Sequence, residues 1–375
     1  MKKKVLFIAT VLRGHVLVFH LPYMKWFQEQ GYEVHLCARN DTGGPVETVP
    51  CCNRYFDLPF ERSPLNPGNR GVYKALKRIV DEGKYTLIHC NTPVGGMLGR
   101  LCARDARGRG TKVVYTAHGF HFFKGAPLKN WLLFYPAERF LSRYTDLLIT
   151  INGEDYARAR GFHAKKAALV NGVGVDLSRF GAAPERDAVR DALGIARDAH
   201  VVINVGEHIP RKNHETVLRA VSGLPGVHVL FCGVGEKQDE LEALARELGM
   251  ESRAHFLGFR RDVPALLAAS DVFFFPSLQE GLPVSQMEAM AAGLPCVVSN
   301  VRGNADLVGP DDGGTLRPPR DVAGYSEDIA RLLGDPALRE RMGERNRREI
   351  QKYGLTEVLE QMAALYLEQL GREGS

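Results

Sequence analysis

The sequence predicts an α/β protein made of two Rossmann-like, doubly wound domains that face a central cleft. Short apolar segments alternate with amphipathic helical segments along most of the 375-residue chain. The apolar segments lack strict polar–apolar alternation, which is typical of strands buried on both faces of a parallel sheet. The alternation stops once, after about residue 170, and then restarts. Two sheets in series are therefore expected, with ligands at the carboxyl ends of the strands.

Nine apolar segments are predicted as strands. The first half of the chain supplies KKVLFIAT, YEVHLCAR, YTLIHCN, KVVYTAHG and TDLLITIN, and the second half supplies HVVINVGE, VHVLFCG, DVFFFPS and LPCVVSN. Three lysines precede the first segment, as in a signal peptide, but the apolar run Val5–Ala9 is too short for one. No segment approaches the ~18 apolar residues of a membrane span. The first segment is therefore expected to be a buried strand.

Helices are predicted between these strands. In HETVLRAVSGL, for example, apolar residues recur at i, i+3, i+4 and i+7. Residues 171–200 are polar and glycine-rich and are interpreted as a linker. The expected domains are residues 1–180 and 181–350. Residues 351–375 are expected to form a terminal helix that packs back toward the N-terminal domain.

The charge is unevenly divided. The net charge is +5, but residues 1–180 carry +13 and residues 181–375 carry −8. One domain is thus expected to meet an anionic partner, which could be a phospholipid surface, a lipid diphosphate or nucleic acid, although an uneven solvated surface is the plainer alternative. The seven cysteines are odd in number and lack Cys-x-x-Cys spacing, which favours reduced thiols in a cytosolic protein.

The most informative segment is SLQEGLPVSQMEAMAAGLPCVVSN, residues 277–300. It predicts a strand, a loop with Glu280, a helix with Pro283 at its first position and Glu288 on its second turn, and a further strand. The free N–H groups at the start of such a helix bind phosphate. A nucleotide phosphate site is therefore expected here.

This segment resembles the Glu-x(7)-Glu motif of family-4 glycosyltransferases, which have the GT-B fold. The resemblance continues at NGVGVDLSRF, VINVGEHIPRKNHETVLRAV, FCGVGEKQDELEALARELG and HFLGFRRDVPALLAASDVFFFPS. It implies that the C-terminal domain binds a nucleoside-diphosphate sugar, most often a UDP-sugar, and the N-terminal domain the acceptor. It also implies a retaining sugar transfer with neither metal nor cofactor.

The resemblance implies a catalytic set of His118, Glu280 and Lys212. Glu280 matches the glutamate near the donor sugar, Glu288 the one on the ribose, and Lys212 the lysine on the diphosphate. His118 ends a strand, where the family places a histidine near the sugar. The expected donor-binding residues are Arg13, Gly14, Glu207, Arg211, Lys212, Gly233, Phe259, Arg260, Gly281, Leu282, Pro283, Val284 and Glu288.

One position departs from the family pattern. Glu207 stands where the family usually has an arginine after Val-Gly, and Arg211 or Arg13 is expected to compensate. The chain contains no Asp-x-Asp triplet, so a metal-dependent route to neutralising the diphosphate lacks its usual ligands. The charge is instead expected to be met by Lys212, a helix start, backbone N–H groups and an arginine.

Membrane contact and a lipid-linked acceptor are also expected. The segment GFHFFKGAPLKNWLLFYPAERFLSRY mixes eight aromatic residues with basic ones, and GVYKALKRIV predicts a basic amphipathic helix. The alternative is that the aromatic residues belong to the core and the charges form a solvated face. Residues 66–101 resemble bacterial enzymes that act on lipid-linked sugars in capsule and exopolysaccharide assembly. This favours a polyprenyl-diphosphate sugar acceptor and a cytoplasmic protein at the inner face of the cytoplasmic membrane.

Two other functions compete with this one. A sugar-nucleotide epimerase of the same architecture would convert a donor without any acceptor. A nucleic-acid binder would use the basic first half, but the acidic second half and the lack of a nucleic-acid motif argue against it.

Overall fold

Two parallel β-sheets organise the chain. The computed structural model describes residues 2–180, 186–309 and 312–371. It divides into a first unit, residues 1–173 with 358–375, and a second unit, residues 174–357. Within the described residues no helix is long and apolar enough to cross a bilayer.

The first unit contains a seven-stranded sheet in the order β3-β2-β1-β4-β5-β6-β7, with every neighbouring pair parallel. Its strands are β1 Lys4–Val11, β2 Glu33–Arg39, β3 Arg54–Asp57, β4 Leu87–Asn91, β5 Lys112–Ala117, β6 Leu147–Thr150 and β7 Lys166–Leu169. Its helices are α1 Leu17–Phe19, α2 Leu21–Glu29, α3 Asn69–Gly83, α4 Pro93–Gly108, α5 Leu128–Leu141 and α6 Gly153–Ala159, with a π-helical turn Leu12–Val16 and a 3-10 turn Ser142–Tyr144.

Strand β1 is buried on both faces. Leu6 and Ile8 belong to the apolar cluster that includes α3 and α4. Val5 and Phe7 point the other way, into the cluster that includes α2. Alternate side chains of a strand leave opposite faces of its sheet, so helices on both faces require the continuous apolar run seen in the sequence.

The second unit contains a six-stranded parallel sheet in the order β10-β9-β8-β11-β12-β13. Its strands are β8 His200–Val205, β9 Val227–Cys232, β10 Ala254–Phe256, β11 Val272–Phe275, β12 Cys296–Ser299 and β13 Gly314–Arg317. Its helices are α7 Arg186–Ala192, α8 His214–Ser222, α9 Gln238–Glu247, α10 Val263–Ala268, α11 Val284–Ala292, α12 Asn304–Leu307, α13 Val322–Gly334 and α14 Pro336–Glu349, with 3-10 turns Leu177–Phe180, Pro210–Lys212 and Ile350–Tyr353.

The last helix, α15 Leu355–Gln369, returns the chain to the first unit. Val358, Met362 and Tyr366, spaced four residues apart, are buried in the same cluster as Val5 and Phe7. The Tyr366 hydroxyl lies 2.8 Å from Nδ1 of His89 in β4. One face of α15 thereby completes the core of the first unit.

The segment interpreted as a linker is more ordered than expected. The second unit begins at Gly174 rather than at residue 181. Helix α7 is anchored by Arg190, which is 1% exposed and donates to Asp271 at 3.0 Å and to three backbone carbonyl oxygens. Residues 181–185 lie outside the described part. The segment is therefore polar for two reasons: part of it is exposed to solvent, and Arg190 is buried in a network of hydrogen bonds.

Candidate active site

The second sheet changes direction between β8 and β11. From β8 the chain moves outward to β9 and β10, and it then returns to place β11 on the other side of β8. In open α/β sheets ligands bind at such a switch point, outside the carboxyl ends of the strands. The loops after β8 and β11 carry Lys212 and Glu280, so both predicted residues lie at this position.

Lys212 and Glu280 form a nearly buried ion pair. The Lys212 Nζ lies 2.8 Å from Oε1 of Glu280, and its side chain is only 11% exposed. It also lies 4.6 Å from the centre of the Phe275 ring, at the end of β11. Burial lowers the pKa of Lys212, while the Glu280 carboxylate opposes this shift. The pair therefore keeps a cation at the switch point with little water around it.

A second cation meets the same carboxylate. The Arg211 guanidinium donates to Oε1 of Glu280 at 3.0 Å and to the carbonyl oxygen of Gln279 at 2.8 Å. The positive charge of Arg211 lowers the pKa of Lys212, whereas the negative charge of Glu207 raises it. Arg211, which is expected to compensate for Glu207, thus contacts the same carboxylate as Lys212.

The loop that follows Glu280 is supported by two residues that sequence analysis did not identify. The Arg302 Nε donates to the carbonyl oxygen of Glu280 at 3.1 Å. Gly303 has a φ of +81°, and a Cβ atom there would lie 2.5 Å from the carbonyl oxygen of Gly281. Only glycine allows both this conformation and this close approach. The segment after β12 therefore holds the Glu280–Leu282 loop in place.

Helix α11 begins one residue later than predicted. Pro283 is extended, with φ −76° and ψ 120°, and precedes the first helical residue, Val284. Proline suits this N-cap position as well, since its fixed φ is compatible with extended backbone. Leu282 and Pro283 are buried, whereas Gly281 and Val284 are half-buried. The first N–H groups of α11 have no partner within the helix, which preserves the expected phosphate site.

Glu288 lies on the second turn of α11 and pairs with a residue that was not predicted. Its Oε1 lies 3.2 Å from the guanidinium of Arg179, in the 3-10 turn Leu177–Phe180. Burial raises the pKa of Glu288, and Arg179 partly opposes the shift. Arg179 belongs to the NGVGVDLSRF segment, which resembles the family. That resemblance was the only feature of the sequence that could have indicated a role for Arg179.

Gly233 directly follows β9, in close contact with the loop after β8. Its φ is +156°, and a Cβ atom there would lie 1.9 Å from the carbonyl oxygen of Gly206. The Gly206 N–H donates to the Cys232 carbonyl at 2.9 Å. The role of Gly233 in the structure is therefore to let two strand-end loops touch.

Phe259 and Arg260 differ from each other in their surroundings. The Phe259 side chain is 71% exposed and is not packed in the core. Arg260 donates two hydrogen bonds to Asp262, at 2.7 and 2.5 Å. An exposed ring after Gly258 can stack on a flat ligand such as a nucleobase.

The first sheet changes direction between β1 and β4. After β1, the backbone N–H groups of Arg13 and Gly14 donate to the two carboxylate oxygens of Asp41, at 2.5 and 3.1 Å. The sequence predicted donor phosphate at this loop, and Asp41 was not foreseen. The loop therefore has the amide geometry to hold an anion, and here it holds a carboxylate.

His118 directly follows β5, one strand from this switch point. Burial lowers its pKa from 6.5 to about 4. The ring is therefore neutral near pH 7 and offers one donor and one acceptor nitrogen. This is the form suited to hydrogen bonding with sugar hydroxyls.

The aromatic-rich segment contributes more to the core than expected. Phe120 and Phe122 are buried, and Trp131, Phe134 and Tyr135 pack against the same apolar cluster. The exposed apolar residues of α5 are different ones: Leu128, Leu132, Leu133 and Phe140. The aliphatic residues of α5, more than its aromatic ones, thus form the outer face.

Comparison with known proteins identifies the class. Residues 185–349 match the model described as glycosyl transferases group 1, and residues 20–172 match a glycosyl transferase 4-like domain. The chain is 39% identical over 374 residues to the putative glycosyltransferase EpsD of Bacillus subtilis, covering 98% of this chain and 97% of the relative. These matches define the class of the protein as a glycosyltransferase.

Two further comparisons agree. An Escherichia coli UDP-Gal:alpha-D-GlcNAc-diphosphoundecaprenol alpha-1,3-galactosyltransferase is 31% identical over 276 residues, covering 70% of each chain. The crystal structure of Anabaena Alr3699/HepE in complex with UDP matches with a TM-score of 0.80 at 20% identity, covering 98% of this chain and all of that one. The chain belongs to the family-4 glycosyltransferases of GT-B fold, and it is a glycosyltransferase.

Proposed function

We propose that the protein transfers a sugar from a UDP-sugar to a lipid-linked sugar. The transfer retains the anomeric configuration and needs no metal ion at the diphosphate. The convergence of Lys212 and Arg211 on Glu280 carries this proposal. Both cations contact the loop that leads into α11, and the free N–H groups at the start of a helix favour phosphate. The Escherichia coli relative is a galactosyltransferase that uses UDP-Gal, which supports the choice of base.

The second unit would act mainly on the leaving group. Diphosphate oxygens would replace the Glu280 carboxylate as partners of Lys212 and Arg211, and the helix start would add its dipole. Glu280 would then be free to contact the donor sugar. Glu288, with its ionisation opposed by burial, would accept hydrogen bonds from the ribose hydroxyls.

The reaction would need no protein nucleophile. The acceptor hydroxyl would attack the anomeric carbon from the face that the diphosphate leaves, and the bond from that carbon to the phosphate oxygen would break. The departing phosphate oxygen would take the hydroxyl proton, so charge and protons balance. Neutral His118, in the first unit, would donate or accept hydrogen bonds at the sugar hydroxyls.

The acceptor is proposed to be a sugar on a polyprenyl diphosphate. The basic first half of the chain suits a lipid diphosphate, and the Escherichia coli relative acts on a diphosphoundecaprenol-linked sugar. The exposed leucines of α5, beside Lys124, Lys129 and Arg139, would contact the bilayer that holds such an acceptor. We therefore propose that the protein works at the inner face of the cytoplasmic membrane.

The experiment is a transfer assay with UDP-sugars and GlcNAc-diphosphoundecaprenol in detergent, with chelator present. NMR of the product gives the anomeric configuration, and a parallel sample contains donor alone. The proposal expects an α-linked product from an α-linked donor, no loss of rate with chelator, and an unchanged donor when acceptor is omitted. An inverted product, a requirement for added metal, or epimerisation of donor alone would each contradict it.

A further inference from the structure

Three of the twelve histidines meet in the first unit, at the carboxyl end of its sheet. His15 lies in the π-helical turn after β1, His20 stands between α1 and α2, and His118 follows β5. The His15 ring centre is 4.8 Å from that of His20 and 4.7 Å from that of His118. Of the three, only His118 was predicted from the sequence, because His15 and His20 are distant from it along the chain.

Their ring nitrogens face one another without hydrogen-bond partners. The Nε2 atoms of His15 and His118 and both nitrogens of His20 are buried and have no partner among the described residues. His20 itself is 2% exposed. Buried polar atoms are nearly always hydrogen-bonded or bound to a metal, since desolvating them is unfavourable. Four such atoms on three neighbouring rings indicate a ligand for this cluster.

The geometry is close to that of a three-histidine metal centre. One nitrogen from each ring can be chosen so that all three lie within 4.8 Å of one another. A tetrahedral zinc ion with Zn–N bonds of about 2.0–2.1 Å requires ligand nitrogens roughly 3.3 Å apart. Rotations of the three side chains that draw the nitrogens together by about 1.5 Å or less would close the site.

We propose that His15, His20 and His118 bind one zinc ion, with the fourth coordination position open to water or to a substrate oxygen. Neutral imidazole suits zinc among the common divalent ions, whereas calcium and magnesium prefer oxygen ligands. His118 is half-buried and His15 is 9% exposed, so the site is reached from the side of His118. This ion is separate from the donor diphosphate, which the proposed transfer neutralises with Lys212 and Arg211 of the second unit.

Occupation of the site would also affect the proposed transfer reaction. A His118 nitrogen bound to zinc is no longer available to a sugar hydroxyl, so zinc would inhibit. This consequence, unlike the binding itself, rests on the proposed function. The test therefore measures metal binding directly, and its result does not depend on any activity.

The binding experiment uses full-length protein without an affinity tag, stripped of metal by chelator. Zinc is titrated in competition with a chromophoric chelator, and cobalt(II) is added separately to record the absorption bands of tetrahedral cobalt. We expect one equivalent of zinc per chain and a tetrahedral cobalt spectrum. No binding in competition with the chelator, or an octahedral cobalt spectrum, would overturn the proposal.

Variants locate the site. His15→Gln and His20→Gln are each expected to weaken zinc binding by at least about tenfold, because each removes a ligand. His163→Gln, which changes an exposed histidine of the same unit, is the control and should bind as the wild type does. Equal affinity in the wild type and a folded His15→Gln protein would contradict the assignment. If His20→Gln fails to fold, His15→Gln and the wild-type titration still decide the outcome.

Discussion

Lys212 and Glu280 come from loops after two neighbouring strands, and their charged atoms lie 2.8 Å apart. The distance along the chain is 68 residues, so the contact depends on the parallel pairing of β8 with β11. Because both side chains are nearly buried, each compensates the charge of the other. The proposed function adds that a diphosphate anion takes the place of the carboxylate beside Lys212.

The role of the Glu280 carboxylate in sugar transfer can be tested by an isosteric substitution. Glu280→Gln should lower kcat/KM for transfer by about a hundredfold, since the carboxylate that is proposed to contact the donor sugar loses its charge. Steady-state kinetics with a UDP-sugar measure the effect. Glu215→Gln, in an exposed pair on α8, is the matched control and should retain full activity. A fully active Glu280→Gln enzyme would remove this residue from the reaction.

Gly303 is predicted to be necessary for the conformation of the Glu280–Leu282 loop. Gly303→Ala should destabilise the second unit by about 1–3 kcal/mol because of its positive φ, and should reduce turnover by displacing Gly281. Urea unfolding and kinetics provide the two measurements. Gly223→Ala is the control, since its φ is −77° and nothing lies within 4 Å of the added atom. Similar stability of the two variants would contradict the prediction.

The central strands of both sheets could be predicted from the sequence, but the edge strands could not. All nine predicted strands are present. The four that were missed, β3, β7, β10 and β13, stand at the ends of the two sheets. Edge strands are covered less completely, and β3 and β10 have no fully buried residue. They therefore lack the apolar run by which buried strands are recognised.

The candidate site was predictable only where one segment contains its residues. Glu280 and Glu288 share a motif, and Lys212 lies in a second one that resembles the family. Arg179, Gly303 and Asp41 act through contacts with chain segments 28 to 109 residues away or through backbone shape. Such contacts are fixed by the topology of the sheet, and local sequence carries no signal for them.

His214 should make the stability of the second unit depend on pH. Burial lowers its pKa from 6.5 to about 3, so the unfolded chain binds a proton that the folded chain does not. The contribution of neutral His214 to the free energy of unfolding is therefore complete above pH 6.5 and is lost as the pH falls toward 3. The loss between pH 7 and pH 5 is about 2 kcal/mol. Urea unfolding at both pH values measures this loss.

The control is the same measurement on His214→Gln, which cannot titrate. The loss of unfolding free energy between pH 7 and pH 5 should shrink by about 2 kcal/mol in the variant. An identical pH dependence in both proteins would show that His214 is not the group responsible.

The outer face of α5 is expected to bind membranes. Leu132 and Leu133 are 70% and 56% exposed. Replacing both with glutamate should reduce co-sedimentation with vesicles containing phosphatidylglycerol by at least about tenfold, because it removes apolar contact and adds repulsion. Leu65→Glu, at an exposed leucine elsewhere in the first unit, should have a much smaller effect. Equal binding of the two variants would exclude α5 as the contact.

The most direct test of the donor site is the affinity of UDP for the wild type and for Lys212→Met, measured by isothermal titration calorimetry. Lys352→Met, at an exposed lysine of the same unit, is the control. If Lys212 binds the diphosphate, its loss should weaken UDP binding by at least about tenfold, or about 1.4 kcal/mol. Uridine, which has no phosphate, should bind all three proteins alike. Undiminished UDP affinity in Lys212→Met would contradict a diphosphate site at the β8–β11 switch point.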